Sequence, residues 1–220
     1  MSRPSWKYKL FLLALYSLAY AFFYVLPNFY PLYEPVFLPM FALDRAIPFV
    51  PWTFLVYVSD YFLFAVVVTA LVDLEEFNAY ARTCFIGIVL CGLFFFAFPT
   101  IYPRPPYPEL EPGLISFIMG LVATADMPTN CFPSMHVTMT AIATLALRNH
   151  SKWLFGLVSI WAFAVFASTL TTKQHYLLDI IGGFGVTAVT FALDWWLVRR
   201  VSLFRSPQPE LHQRPNTFSS

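Results

Sequence analysis

Three short stretches of this chain carry side chains suited to phosphoryl chemistry. They are Phe98-Pro99-Thr100-Ile101-Tyr102-Pro103-Arg104-Pro105, Cys131-Phe132-Pro133-Ser134-Met135-His136, and Thr172-Lys173-Gln174-His175-Tyr176-Leu177-Leu178-Asp179. His175 and Asp179 are four apart, so on a helix they share one face. A carboxylate there can accept the proton of one imidazole nitrogen and leave the other nitrogen free to attack. His136 opens a second helix and could protonate a departing alkoxide. Ser134 and the free backbone N–H groups at that helix start can bind phosphate oxygens, helped by the helix dipole. Arg104 and Lys173 would neutralise the charge on those oxygens.

Taken singly, each feature has a plainer reading. A lone histidine inside a membrane is often a polar packing residue. An HxxxD pair can be a structural hydrogen bond or half of a metal site, and Pro-Ser before a helix is an ordinary cap. What points to a site is that all of them fall at four helix ends on one side of the molecule.

The surrounding composition says what kind of scaffold holds those ends. Of 220 residues, 59% are hydrophobic, 20% aromatic and only 11% charged, and the mean hydropathy is +0.65. A soluble domain averages nearer ~25% charged. So few polar side chains cannot cover a globule in water, and a soluble enzyme is excluded. A nucleic-acid binder is excluded too, since the net charge is +1 and no basic run forms a phosphate footprint. Cys84 and Cys91 share a face of one apolar helix, where cysteine behaves as a small hydrophobe. With Cys131 they form neither a disulfide framework nor a CxxC metal knuckle.

A transmembrane helix needs about 20 mostly apolar residues. Six runs qualify or nearly so: Leu10 to Leu26, Trp52 to Val72, Tyr80 to Phe98, Ser134 to Leu147, Trp153 to Thr172 and Tyr176 to Val198. The fourth would rise only ~21 Å against a hydrocarbon core of ~30 Å, so its N-terminus is expected to lie below the membrane surface. Lys7, Lys9 and Ala19-Tyr20-Ala21 resemble a cleaved signal, but the apolar run continues through Leu26 and reads as a retained helix. Residues 27–51 hold six prolines, too many for a span. Leu114 to Ala125 is apolar but short, and reads as an interfacial or re-entrant piece. The expected fold is an all-α integral membrane protein, a six-transmembrane-helix bundle with its active site at the extracytoplasmic helix ends. Residues 1–205 form this single domain, and residues 206–220 read as a disordered cytoplasmic tail.

Six spans put both termini on one side, and charge chooses the side. The loops sharing the N-terminus hold Arg3, Lys7, Lys9, Arg82, Arg148, Lys152, Arg199, Arg200, Arg205 and Arg214; the opposite loops hold Arg45, Arg104 and Lys173. That division is 10 against 3, accounting for all 13 Lys and Arg. The positive-inside rule then makes both termini of a multi-pass cell-membrane protein cytoplasmic. Trp195 and Trp196 read as an aromatic anchor at the inner interface, with Asp194 as an interfacial charge.

Pro133-Ser134-Met135-His136 followed by Gln174-His175-Tyr176-Leu177-Leu178-Asp179 resembles the type 2 phosphatidic acid phosphatase superfamily, and within it the branch related to inositol phosphorylceramide synthases. The resemblance spans roughly 98–185. It implies a six-helix membrane fold and a metal-independent, cofactor-free reaction through a phosphohistidine. By the motif match His175 is the nucleophile, Asp179 its orienting carboxylate and His136 the general acid, while Ser134 and Arg104 bind phosphate. Three positions depart from the phosphatase pattern. Ala97 stands where that pattern has Lys, Met135 where it has Gly, and Thr169 where it has Arg. Two phosphate-binding cations are therefore missing, and Lys173 is expected to replace one of them.

Among the remaining residues, Asp60 lies mid-span beside Tyr57, Ser59 and Tyr61. It is either functional, as intramembrane acids are by default, or a hydrogen-bonded packing residue. Gly182, Gly183 and Gly185 are expected to let a neighbouring helix approach. Asp44 and Arg45 either help cover the site or pair with each other. His150 and His212 receive no role. The expected function is a membrane lipid phosphatase or phosphotransferase acting on a lipid phosphate or phosphoryl headgroup at the outer leaflet. Water as second acceptor gives hydrolysis; a lipid alcohol gives headgroup transfer. A non-catalytic membrane protein or transporter is the rival from another class, supported by the three departures. The lipid substrate and an acceptor alcohol are the only partners expected, with no nucleic acid.

Overall fold

The computed structural model describes residues 2–204, without the side chains of 201–204; the expected tail at 206–220 lies outside the described residues. Among the described residues eight helices carry the fold: α1 Trp6–Phe29, α2 Ala42–Ala46, α3 Thr53–Ala70, α4 Leu74–Ala97, α5 Leu114–Ala125, α6 Met135–Ala146, α7 Lys152–Thr171 and α8 Leu177–Phe204. Among the described residues, five of them (α1, α3, α4, α7 and α8) are long and apolar enough to cross a membrane. Their outer faces are apolar, with Leu13, Phe62, Ile160 and Phe163 all exposed, as lipid contact requires. The chain is an integral membrane protein.

The helix starts follow from short polar caps. Ser5, Ser134 and Ser151 each accept a first-turn N–H through the hydroxyl, and the Asp73 carboxylate accepts those of Glu75 and Glu76. Each cap satisfies a donor the helix itself cannot. The Asp73 cap also starts α4 six residues before the expected Tyr80, because its first turns carry Glu75, Glu76 and Arg82. Arg82 pairs with Asp194 of α8, which gives the expected interfacial acid a partner. Arg199 and Arg200 lie 4.1 and 4.5 Å from the ring centres of Trp195 and Trp196.

The expected fourth span is α6, only 12 residues long and therefore ~18 Å in length. Eight of its residues are buried, because α3, α4, α7 and α8 all pack around it. A helix flanked by four others can be short, since its sides meet protein rather than lipid. Gly183 sets the approach of α8 to the start of α6: a Cβ there would lie 2.8 Å from the Ser134 carbonyl oxygen. Gly182 does the same against the Phe132 ring, with a Cβ at 2.4 Å. Gly185, expected to share that role, faces open space instead.

Two long helices are interrupted at the level of the α6 start. In α1 a π-turn covers Ala21–Val25 and aims the buried Tyr24 inward. In α3 the helix breaks at Val58 and Ser59, where the Ser59 hydroxyl donates to Val56 O at 2.6 Å and accepts from Trp161 Nε1 at 2.8 Å. Interruptions of this kind re-aim side chains and are frequent at functional sites. Over the same end lies a parallel pair of two-residue strands, β1 Val36–Phe37 and β2 Thr100–Ile101, in register Val36 to Thr100. They tie the proline-rich segment to the Arg104 loop. The short helix α5 packs Met119 and Val122 on Phe54 and Tyr57 of α3 and leaves Leu114, Phe117 and Leu121 exposed.

Candidate active site

The start of α6, the end of α7 and the start of α8 are locked together by backbone hydrogen bonds. At the end of α7, Lys173 adopts a left-handed conformation with φ 56°. This turns the chain so that the N–H groups of Gln174 and His175 both donate to Thr169 O, at 3.0 and 3.2 Å. Lys173 thus works as the left-handed residue that commonly ends a helix. Ser134 N donates to Asp179 O at 3.0 Å, pinning the α6 cap to the first turn of α8. Nearby, the carboxylate of buried Asp44 accepts from Leu177 N and Phe41 N, each at 2.7 Å. Asp44 therefore caps α8 rather than pairing with Arg45.

This frame brings together four of the residues singled out by the sequence. His175 Nδ1 lies 3.1 Å from Asp179 Oδ2, and the same oxygen accepts Tyr176 N–H at 2.9 Å. With the carboxylate accepting, Nδ1 carries the ring proton and Nε2 presents its lone pair. Nε2 is 3.3 Å from Ser134 Oγ, which also caps Val137 N at 3.3 Å. The first-turn amides of Met135 and His136 have no acceptor within α6 and offer donors at the same place. The His136 ring lies across the site, 6.2 Å from that of His175 between centroids. Asp179 is fully buried and His175 nearly so. The arrangement can therefore present a neutral imidazole nucleophile, held in one tautomer, beside hydrogen-bond donors for an oxyanion.

The two expected cations are placed differently. Arg104 donates to Asp126 O at 3.0 Å and to Gln174 Oε1, the neighbour of His175. Its Nε is buried with no protein partner, a donor still able to meet a phosphate oxygen. Gln174 also donates to the Tyr107 hydroxyl, and burial pushes that phenol up to about 12, so it stays neutral. Lys173 donates instead to the carbonyls of Asp44 and Ile47, at 2.9 and 2.5 Å. Burial pulls its ammonium below the ordinary lysine value, opposed by the Asp44 carboxylate. Lys173, expected to replace a missing cation, thus has its ammonium on carbonyls of the loop over the site.

His136 has partners that the sequence did not connect to it. Its ring stacks on Tyr57 with centroids 4.3 Å apart, its Nδ1 is 3.3 Å from the Tyr57 hydroxyl, and its Nε2 is 3.5 Å from Asp60 Oδ2. The Tyr57 and Tyr24 hydroxyls both reach Asp126, at 3.2 and 2.5 Å. Asp60 was legible as an intramembrane acid and Tyr57 as a hydroxyl beside it; Tyr24 and Asp126 carried no signal of their own. Below this group, a cavity of about 460 Å³ runs between α1, α3, α4 and α6. Asp60, Tyr24 and His136 close one end; Leu12, Phe64, Val68, Cys84 and Met139 are among the residues of its walls, with Lys9 and Trp6 at the far end.

No curated protein matches the chain. The model of the PAP2 superfamily, however, matches residues 40–193, which takes in α2 to α7, most of α8, and the residues grouped around His175 and His136 except Tyr24 and the α1 side of the cavity. Membership carries activity of the phosphatase or phosphotransferase type in general. On the match over most of its length, this membrane protein belongs to the PAP2 superfamily.

Proposed function

We propose that the protein moves a phosphoryl group from a lipid phosphate through a phosphohistidine at His175. The observation that carries this reading is the Asp179–His175–Ser134 alignment, with Nδ1 held by the carboxylate and Nε2 facing the capped start of α6. In the first step the Nε2 lone pair attacks phosphorus, the phosphorus–alkoxide bond breaks, and His136 gives a proton to the departing oxygen. Asp179 stabilises the positive charge that the His175 ring acquires. In the second step water, or an alcohol, attacks phosphorus as His136 takes its proton, and the P–N bond breaks to restore neutral His175. Arg104 and the α6 amides bear on the phosphoryl oxygens throughout.

The apolar cavity ending at His136 supports a lipid substrate, because it offers a hydrocarbon tail a dry path away from the phosphate. Filling it should discriminate by tail length. Met139→Trp is expected to raise KM about tenfold for a long-chain lipid phosphate, equivalent to ~1.4 kcal/mol of binding, and to leave a short-chain ester unaffected. Equal effects on both would remove the cavity from the binding site.

A second reading, closer to the inositol phosphorylceramide synthase branch, is favoured by the cation count. Thr169, standing where the phosphatase pattern has Arg, is fully buried and uses its carbonyl to fix Gln174 and His175. Ala97, in place of the pattern's Lys, is exposed. A phosphodiester headgroup carries one charge and tolerates such a pocket better than a dianion does. Purified protein incubated with phosphatidic acid and with phosphodiester lipids, with free phosphate and new lipid species measured together, separates the two readings. Free phosphate without transfer product supports hydrolysis; a new lipid ester supports transfer; neither overturns both. Because the reaction needs only the side chains named, turnover is expected to persist in a strong chelator. Loss on chelation and recovery with zinc or magnesium would turn His175 and Asp179 into ligands.

The same reading places the site on the extracytoplasmic face. A single cysteine introduced within 101–112 of intact cells should react with an impermeant reagent, and one near Ser151 should not. The reverse pattern would invert the orientation.

A further inference from the structure

We propose that Asp60 is the orienting carboxylate of His136, and that with the Tyr24–Asp126–Tyr57 chain it holds His136 doubly protonated, ready to act as a proton donor. This rests on the reading of His136 as the general acid. The protons can be counted around the ring. Each phenol has a single proton to give. Tyr24 spends its proton on Asp126 Oδ1 at 2.5 Å and Tyr57 on Asp126 Oδ2 at 3.2 Å. The Tyr57 oxygen is then an acceptor toward His136, so Nδ1, 3.3 Å away, carries a hydrogen. Nε2 faces Asp60 Oδ2 at 3.5 Å, and an ionised carboxylate only accepts, so Nε2 carries one as well. The result is an imidazolium opposite a carboxylate, the form a general acid needs.

Burial leaves Asp60 few other groups to pair with. The residue is 3% exposed within a membrane-spanning helix, its Oδ1 has no partner, and His136 is the one cationic group placed against it among the described residues. An intramembrane carboxylate requires such a partner. The two hydrogens of His136 are held unequally. Stacking on Tyr57 and the Nδ1 contact at 3.3 Å fix the ring, whereas the Nε2 contact with Asp60 is longer, at 3.5 Å. The Nε2 proton is therefore the one free to pass to a leaving oxygen, and the neutral ring that remains keeps its Nδ1–H toward the Tyr57 oxygen. The break in α3 makes this possible, since it turns Tyr57, before the break, and Asp60, after it, toward the same imidazole. The site so described has two His–carboxylate pairs, one for the nucleophile and one for the acid.

The test uses two phosphate esters of matched tail, one with an alkyl alcohol as leaving group and one with a nitrophenol, which departs without a proton. Release of the leaving group in a single turnover is measured for the full-length protein in detergent. Asp60→Asn is expected to slow alkyl ester cleavage roughly 10- to 100-fold, less than the 10²–10⁴ range for loss of a general acid itself, and to change nitrophenyl ester cleavage by less than about threefold. Tyr57→Phe, which keeps the ring stack, is expected to show the same selectivity at smaller size, and serves if Asp60→Asn does not fold. Equal slowing of both esters, or of neither, by both variants overturns the proposal. His136→Ala separates the failures. If His136→Ala is selective while the Asp60 and Tyr57 variants are not, only the assignment of Asp60 falls. If His136→Ala is itself unselective, the general-acid reading falls with it.

Discussion

His175→Ala is expected to abolish turnover on every lipid phosphate and to form no phosphoenzyme, a loss of roughly 10⁴-fold or more. The reason is that, among the described residues, no second imidazole is held by a carboxylate and faces the start of α6. Ser134 Oγ is engaged in capping α6, and the remaining groups at the site bind or donate. The substitution removes two hydrogen bonds, to Asp179 and Ser134, each leaving a buried group short of a partner at a cost of about 1–3 kcal/mol. Domain stability is typically about 5–15 kcal/mol, so the variant should still insert and remain monodisperse in detergent. Asp179→Asn should also insert, yet lose about 10³–10⁴-fold, because an amide no longer enforces the Nδ1–H tautomer. Acid-labile phosphate on the wild-type protein, trapped after brief exposure to labelled substrate and absent from His175→Ala, is the direct measurement. Should His175→Ala misfold while the wild type turns over no lipid at all, the residues are structural and the rival reading of a non-catalytic membrane protein prevails.

The second large effect concerns His136. Its replacement by Ala is expected to cost about 10²–10⁴-fold with alkyl leaving groups, because the departing alkoxide loses the imidazole that this reading assigns to protonate it. Phosphoenzyme formation should survive with a nitrophenyl ester, and the intermediate should then accumulate, since the attacking water also needs His136 as a base. Accumulation sets this variant apart from His175→Ala, which yields no intermediate under any condition. The ring packs on Tyr57 at the top of a cavity, so its removal enlarges an existing space rather than opening a new one. A His136→Ala protein that cleaves alkyl esters at the wild-type rate would assign the acid to another group.

Much of this site could be read along the chain, because its strongest relations are local. The i,i+4 spacing of His175 and Asp179 fixes their pairing wherever α8 begins, and Ser134 caps α6 by virtue of standing immediately before it. Hydropathy marked the five long helices to within a few residues, missing chiefly the charged first turns of α4 and the last turns of α8. The shortness of α6 was legible as a length deficit. Its cause was not, since enclosure by four helices is a property of the packing.

What surrounds His136 belongs to the tertiary structure alone. Tyr24, the Tyr57–Asp60 pair and Asp126 sit on three different helices or their ends, and no periodicity relates these three places to one another. They meet because a π-turn re-aims α1, a break re-aims α3, and α5 delivers Asp126 at its C-terminus. Lys173 shows the same limit from the other direction. Its charge and position beside His175 suggested phosphate, yet a left-handed backbone at that residue swings the ammonium onto the Asp44 and Ile47 carbonyls. Residue type and spacing determine which groups are available and which neighbours along one helix they can reach. Which groups face one another across the bundle is decided by helix crossings and interruptions, because a few degrees of backbone rotation there move a side chain by more than the length of a hydrogen bond.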